Sequence, residues 1–276
     1  MRCDFADSVY PFEIMLDMEK FMEAIIYIAI FLSGTVFGSF FTLAVYRIPR
    51  KEDITHVRSH CTSCNHELNF LDLIPVLSYI FLGGKCRYCG EKIRIRYLLL
   101  EIMSGLVFLL VALTHGITNI IWLIFAYLFF TGMFIIGGID KEKLEIPNGL
   151  CIYNLCISLV YIGYLLYIKV NILDNIFGMI VIPLLLFVLN KLVYVLMKAD
   201  NKKYPIGLGD IKYLSLIGLM FGFPIQVISI VLSLLITMVG VLIHKYKEIP
   251  WGYYLTISTI AIVIFEPYIK PIIELI

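Results

Sequence analysis

Charge is what this chain has least of. Of its 276 residues, 16% are charged and 61% hydrophobic, and the mean hydropathy is +0.92. Soluble domains carry about 25% charged and about 45–50% apolar residues. The shortage is concentrated, because no formal charge occurs over 102–139 or over 213–243. One large soluble core is thereby excluded, and an all-α polytopic membrane protein is expected. The N-terminus lacks the basic-then-apolar order of a signal peptide. Residues 1–21 are mixed, and are expected to be an N-terminal tail or a stretch that is not translated, since Met18 or Met22 would also serve as a start. There is no glycine-rich strand–turn–helix signature for a nucleotide-like cofactor. A disulfide framework is also missing: of seven cysteines, four fall in two C-x-x-C pairs, leaving Cys3, Cys151 and Cys156 as free thiols. A net charge of +1 assigns no partner by itself, and no nucleic-acid partner is expected.

What is there is a series of apolar stretches of spanning length, about 20 residues per crossing. They suggest about eight transmembrane helices, with seven as the competing count. The first covers 22–46, where Gly34 and Gly38 have the small-x-x-x-small spacing that lets membrane helices pack closely. A polar region, 47–97, follows it and holds nine of the Lys and Arg residues. The remainder, 98–270, reads as a membrane domain of about seven helices. Loops 47–97, 140–148, 198–210 and 244–250 are repeatedly basic, whereas the alternate loops contain only Lys169. The positive-inside rule then places the basic set in the cytoplasm of a multi-pass protein of the cell membrane. Arg47, Arg50, Lys51 and Arg58 read as topology determinants near anionic lipid.

Cys61-Thr-Ser-Cys64 and Cys86-Arg-Tyr-Cys89 are separated by 21 residues. Two such knuckles supply four thiolates for a tetrahedral site that suits zinc, and a cytosolic setting keeps thiols reduced. A small cytosolic zinc-ribbon-like module after the first helix is expected, with Cys61, Cys64, Cys86 and Cys89 as ligands. Asn65 and Gly90 follow the knuckles and suit their turns. With four sulfurs and no open position, the metal would be structural. The competing reading is two redox or merely structural cysteine pairs.

Two acids stand where acids are costly. Asp140 ends one uncharged run directly after Gly137-Gly138-Ile139, and Asp210 opens another directly after Gly207-Leu208-Gly209. Ionisable groups at such places are read as functional by default. A pair of carboxyls close together shares a proton, which is what peptide hydrolysis by two aspartates requires. One takes a proton from water while the other polarises the scissile carbonyl. The competing readings are that Asp210 is a helix N-cap and that Asp140 pairs with Lys141 or Lys143. Lys212, two residues beyond Asp210, reads as an interface anchor able to act on the neighbouring carboxylate.

These residues resemble a known family. Gly207-x-Gly209-Asp210 looks like the G-x-G-D motif of membrane aspartic proteases. Gly38-Ser39-Phe40, Tyr46-Arg47-Ile48-Pro49, the two C-x-x-C pairs, Ile139-Asp140 with Pro147, and Ile249-Pro250-Trp251-Gly252 resemble the type IV prepilin peptidases in particular. The resemblance implies a membrane aspartic endopeptidase with Asp140 and Asp210 as catalytic residues and Gly207, Gly209 and Lys212 as active-site support. It implies type IV prepilin or pseudopilin precursors as partners, cut after a short basic leader at the cytosolic face of the lipid bilayer. It also implies N-methylation of the new N-terminus with S-adenosylmethionine, with which Glu101 is associated. The competing reading of Glu101 is an ion pair with Arg94 or Arg96. One departure stands out: the family often has aspartate where this chain has Asn148. A rival from another class is a polytopic transporter using intramembrane acids, although such sites lie near the midplane.

Overall fold

The computed structural model describes residues 10–196, 206–244 and 248–273; Cys3, residues 1–9 of the expected tail and most of the polar loop 198–210 lie outside them. Among the described residues the regular structure is helical: α1 Tyr10–Arg47, α2 Leu77–Phe81, α3 Arg96–His115, α4 Ile120–Lys143, α5 Asn148–Tyr167, α6 Leu173–Leu196, α7 Leu208–Phe221, α8 Phe223–His244 and α9 Trp251–Ile273. All of these except α2 and α7, seven in number, are long and apolar enough to cross a membrane. The protein is an all-α multi-pass membrane protein.

α7 accounts for the difference from eight spans. Its 14 residues extend about 21 Å, short of a bilayer core of about 30 Å. A helix that ends inside a membrane protein must have its last carbonyls satisfied by protein. Buried Asn175 of α6 does this, its amide donating to Leu219 O at 2.9 Å and Met220 O at 3.4 Å. Gln226, at the start of α8, donates to Leu214 O at 2.9 Å. The chain turns between α7 and α8 at Gly222, whose φ of +87 suits glycine.

The chain divides into two compact units. Unit 1 holds residues up to Ser39 together with His60–Gly116. Here α1 and α3 meet backbone to backbone: a Cβ on Gly34 would lie 2.8 Å from Gly105 Cα, and one on Gly38 would lie 2.9 Å from Glu101 Cα. The small-residue spacing is therefore a packing device. Buried Ser104 reinforces it by donating to Gly34 O.

The zinc-ribbon-like expectation is overturned. No β-strand occurs among the described residues, and this segment has only two isolated bridges, His60 with Glu67 and Lys85 with Lys92. It consists instead of two tight knuckles, a 3-10 turn at Phe70–Asp72 and the five-residue α2. The C-x-x-C spacing specifies ligands, not strands. Between the knuckles, Pro75, Val76 at φ +62, and Gly83 and Gly84 at φ +59 and +67 break any extended run.

Unit 2 holds Phe40–Ser59 and Ile117–Ile276. In it α4 packs against α5 and α9, α6 against α7, and α8 against α9. Its core is aromatic and aliphatic: Phe129 meets Phe221 edge-on at 5.4 Å, and Phe130, Met133, Ile136 and Ile217 are fully buried. Gly178 of α6 lies against Gly218 of α7, where a Cβ would come within 2.7 Å of Gly218 O.

Candidate active site

Asp140 occupies the last turns of α4 and is buried. The helix ends four residues on at Leu144, left-handed at φ +58, whose amide returns to Asp140 O at 2.8 Å. Gly137 and Gly138 make room just before it. A Cβ on Gly137 would lie 2.8 Å from Thr256 Oγ1, and one on Gly138 would lie 2.5 Å from Val45 Cγ2. The glycines ahead of this acid therefore let α9 and the end of α1 close onto α4.

Asp210 lies in the first turn of α7, where a carboxylate suits the helix dipole. The N-cap is Gly207, so Asp210 is not itself the cap. Both glycines of the motif have a steric reason. A Cβ on Gly207 would lie 2.7 Å from Asp210 Oδ2, and one on Gly209 would lie 3.1 Å from Ile146 Cβ. Just upstream, buried Asn190 of α6 clamps Ile206, donating to its carbonyl at 2.9 Å and accepting from its amide at 3.1 Å.

The two acids meet at the N-terminal turn of α9. Tyr253 N–H donates to Asp140 Oδ2 at 3.0 Å. The two carboxyls are close enough there for the charge of Asp140 to act on Asp210. Asp210 Oδ1 is buried with no hydrogen-bond partner among the described residues. Both acids line one cleft of about 450 Å³, with Ile48, Pro49, Lys51, Glu145, Asn148 and Lys212. Lys212 donates to Asn148 Oδ1 at 3.3 Å. Lys141 faces away from its neighbouring acid, donating to Tyr253 OH at 3.2 Å with its ammonium over that ring.

Behind the acids is a buried network that the sequence does not single out. Tyr213 OH and Thr256 Oγ1 are 2.8 Å apart, and the threonine hydroxyl reaches Gly252 O at 2.9 Å. This fixes the turn that carries the donating amide of Tyr253. Arg47 departs from its expected role as a lipid-facing topology determinant. It is buried, and its guanidinium donates to Asp53 O at 2.9 Å, Val57 O at 2.8 Å and Arg58 O at 3.4 Å. The only sequence signal for Asn190, Thr256 and Tyr213 is a polar group within a largely apolar helix.

The four module cysteines come together in unit 1. Their sulfurs all lie within 4.8 Å of one another. Asn65 at φ +55 and Gly90 at φ +73 turn the knuckles, donating to Cys61 O at 2.9 Å and Cys86 O at 3.0 Å. The donor set fits a tetrahedral ion. Zn–S bonds of about 2.3 Å imply S···S edges of roughly 3.8 Å, and Cys61 and Cys89 are 3.8 Å apart. Amides of Cys64 and Ser63 pull the Cys61 thiol down to about 6. The Glu91 amide lowers the Cys89 thiol, but desolvation and the sulfurs of Cys64, Cys86 and Cys61 outweigh it and push it up to about 12. Four crowded sulfurs resist joint ionisation unless a cation lies among them.

Glu101 makes a contact other than an ion pair with a neighbouring arginine. Its Oε2 accepts the Val76 N–H at 2.8 Å.

Residues 32–115 match the Bacterial Peptidase A24 N-terminal domain family, and residues 127–243 match the Type IV leader peptidase family. Similar proteins include a "Prepilin leader peptidase/N-methyltransferase" of Pseudomonas putida, 27% identical over 82% of this chain and 85% of that protein. The protein of that description from Pseudomonas aeruginosa is 29% identical over 82% of this chain and 86% of its own length. One from Bacillus subtilis is 33% identical over 46% of this chain and 50% of its own length. No solved structure matches the chain.

Proposed function

Because the chain belongs to the type IV leader peptidase family, we propose that it is a membrane-embedded aspartic endopeptidase that removes the leader of type IV prepilins or pseudopilins at the cytosolic face. The observation that carries the reading is the convergence of Asp140 and Asp210 on one cleft. The pair shares a proton. The ionised member draws a proton from water, and the resulting hydroxide attacks the scissile carbonyl polarised by the neutral member. The titration belongs to the pair, not to either residue. Gly207 and Gly209 hold the approach to Asp210 open, and Lys212 with Asn148 forms part of the cleft wall. The repeated basic loops support a cytoplasmic cleft.

Cys61, Cys64, Cys86 and Cys89 would hold a structural zinc ion, which closes a polar segment with little core of its own. N-methylation of the product comes to this chain from its relatives' description alone. No strand–turn–helix cradle for S-adenosylmethionine occurs among the described residues, and the carboxylate of Glu101 already holds an amide. The mechanism therefore takes no step through that cofactor. The test is Asp140→Asn and Asp210→Asn in membranes supplied with a candidate precursor. Each variant should remain membrane-inserted and leave the precursor uncut. Retained cleavage in either would overturn the dyad. The mass of the product N-terminus reports leader loss and methylation as separate increments.

A further inference from the structure

The cysteine segment is polar overall, yet four of its largest apolar side chains face outward. Phe70 is 81% exposed, Leu71 61%, Ile80 61% and Phe81 83%. They lie on the 3-10 turn Phe70–Asp72 and on α2, two short helices that contact each other. The other side of α2 belongs to the module. Tyr79 packs its ring on Gly84, where a Cβ would come within 2.9 Å, and its hydroxyl donates to Ile93 O at 3.4 Å. α2 is thus an amphipathic turn with Tyr79 directed inward and Ile80 and Phe81 directed outward.

The depth of this patch follows from Glu101. That residue is in the second turn of α3, and its carboxylate accepts the amide of Val76, the residue immediately before α2. Val76 holds φ +62, unfavourable for a β-branched residue, and the bond from Glu101 fixes it there. α2 is therefore tied to a level where α3 already exposes Leu99, Leu100 and Met103, at 52%, 49% and 54%, as a membrane-crossing helix must. Exposed cations lie in the same segment, Lys85, Lys92 and Arg94 among them, and Arg96 lies over the Tyr97 ring at 5.3 Å. Arg87 is taken up by Asp72, at 2.7 Å.

An apolar patch joined to the lipid-facing side of a spanning helix and accompanied by cations matches an anionic bilayer surface. We propose that residues 70–81 are an interfacial anchor: Phe70, Leu71, Ile80 and Phe81 enter the headgroup–acyl boundary, and the nearby Lys and Arg residues bind anionic phospholipid headgroups. The four-cysteine cluster is thereby held at the membrane surface. Glu101 is a positioning residue for this anchor, setting the depth at which α2 leaves α3.

The test uses the full-length protein in nanodiscs. Phe81→Trp keeps an aromatic at the patch, and the wild type, whose tryptophans are Trp122 and Trp251, is the baseline. The emission that Phe81→Trp adds over wild type should be blue-shifted and quenched by lipids brominated near the headgroup. Replacing phosphatidylcholine by phosphatidylglycerol should deepen the quenching in Phe81→Trp. Adding Glu101→Ala to Phe81→Trp, which removes the acceptor of the Val76 amide, should shift the new emission toward that of an indole in water without unfolding the helices. Water-like, unquenched emission from Phe81→Trp would overturn the anchor. Blue-shifted emission that brominated lipid does not quench would also overturn it, by assigning the patch to a protein partner or a second copy. Quenching that is indifferent to lipid charge would remove the role of the cations.

Discussion

The amide of Tyr253 donates to Asp140 Oδ2 at 3.0 Å, so the acid that ends α4 sits on the open N-terminal turn of α9. The amides that open a helix lack intrahelical partners, and a carboxylate there is favoured by both hydrogen bonding and the helix dipole. Asp210 lies close enough to feel the charge of Asp140 there, and both acids line the same cleft. α9 thereby serves as the scaffold on which two acids 70 positions apart in sequence are brought together.

Gly252 is the point at which this arrangement is most easily broken. A Cβ there would lie 3.0 Å from Asp140 Oδ2 and 3.2 Å from Ile146 Cδ1. Gly252→Ala must displace the carboxylate by a fraction of an ångström. Misplacement of about 1 Å in an active site costs on the order of 10²-fold in rate, so leader cleavage should fall by ~10- to 100-fold. The variant should insert and fold as the wild type does. Turnover of a precursor peptide, measured beside thermal stability, checks this; unchanged turnover would mean that the acids do not depend on the α9 turn.

Arg47 governs the opposite wall of the cleft. Its guanidinium holds three carbonyls of the loop that follows Ile48, Pro49 and Lys51, and these three residues line the cleft. A lysine ammonium is a point donor and cannot reproduce the planar fork. Each lost hydrogen bond is worth about 1 kcal/mol net, so Arg47→Lys should weaken precursor binding by roughly tenfold. The dyad itself is untouched, so KM should rise while kcat stays near wild type. Steady-state kinetics on one precursor separates the two. A fall in kcat at constant KM would show that the loop acts on the chemistry instead.

The membrane class is legible in the sequence, and Asp140 and Asp210 stand out there, because each has a strong local signature. Long uncharged runs follow from the cost of charge in lipid, and glycines beside an acid stand out in such runs. Asn65 and Gly90 are legible for the same reason, since both knuckles need a left-handed residue and both have one. What is not legible depends on contacts across the fold. Arg47 has the composition of a topology signal, and only its burial reveals a loop clamp. Asn190 and Asn175 look alike in sequence, yet one holds the segment leading into α7 and the other caps its end. The ribbon-like expectation fails because cysteine spacing carries information about ligands and none about the backbone between them.

The four-cysteine cluster gives the last prediction. Purified protein should carry about one zinc ion per chain, as a closed tetrahedral site requires. Cys86 is the buried member of the set, so Cys86→Ser replaces a sulfur where water cannot easily substitute. Metal content should fall to near zero, and limited proteolysis within 60–95 should quicken, because an ion that binds only the folded segment contributes its binding energy to that fold. Acid should release metal from the wild type, since every ligand must be a thiolate. Precursor cleavage should persist in the variant, because Asp140, Asp210 and the contacts described for them belong to the other compact unit. Elemental analysis, proteolysis and precursor turnover on one preparation test all of this. Undiminished metal in the variant would mean that the ion, if bound, has other ligands.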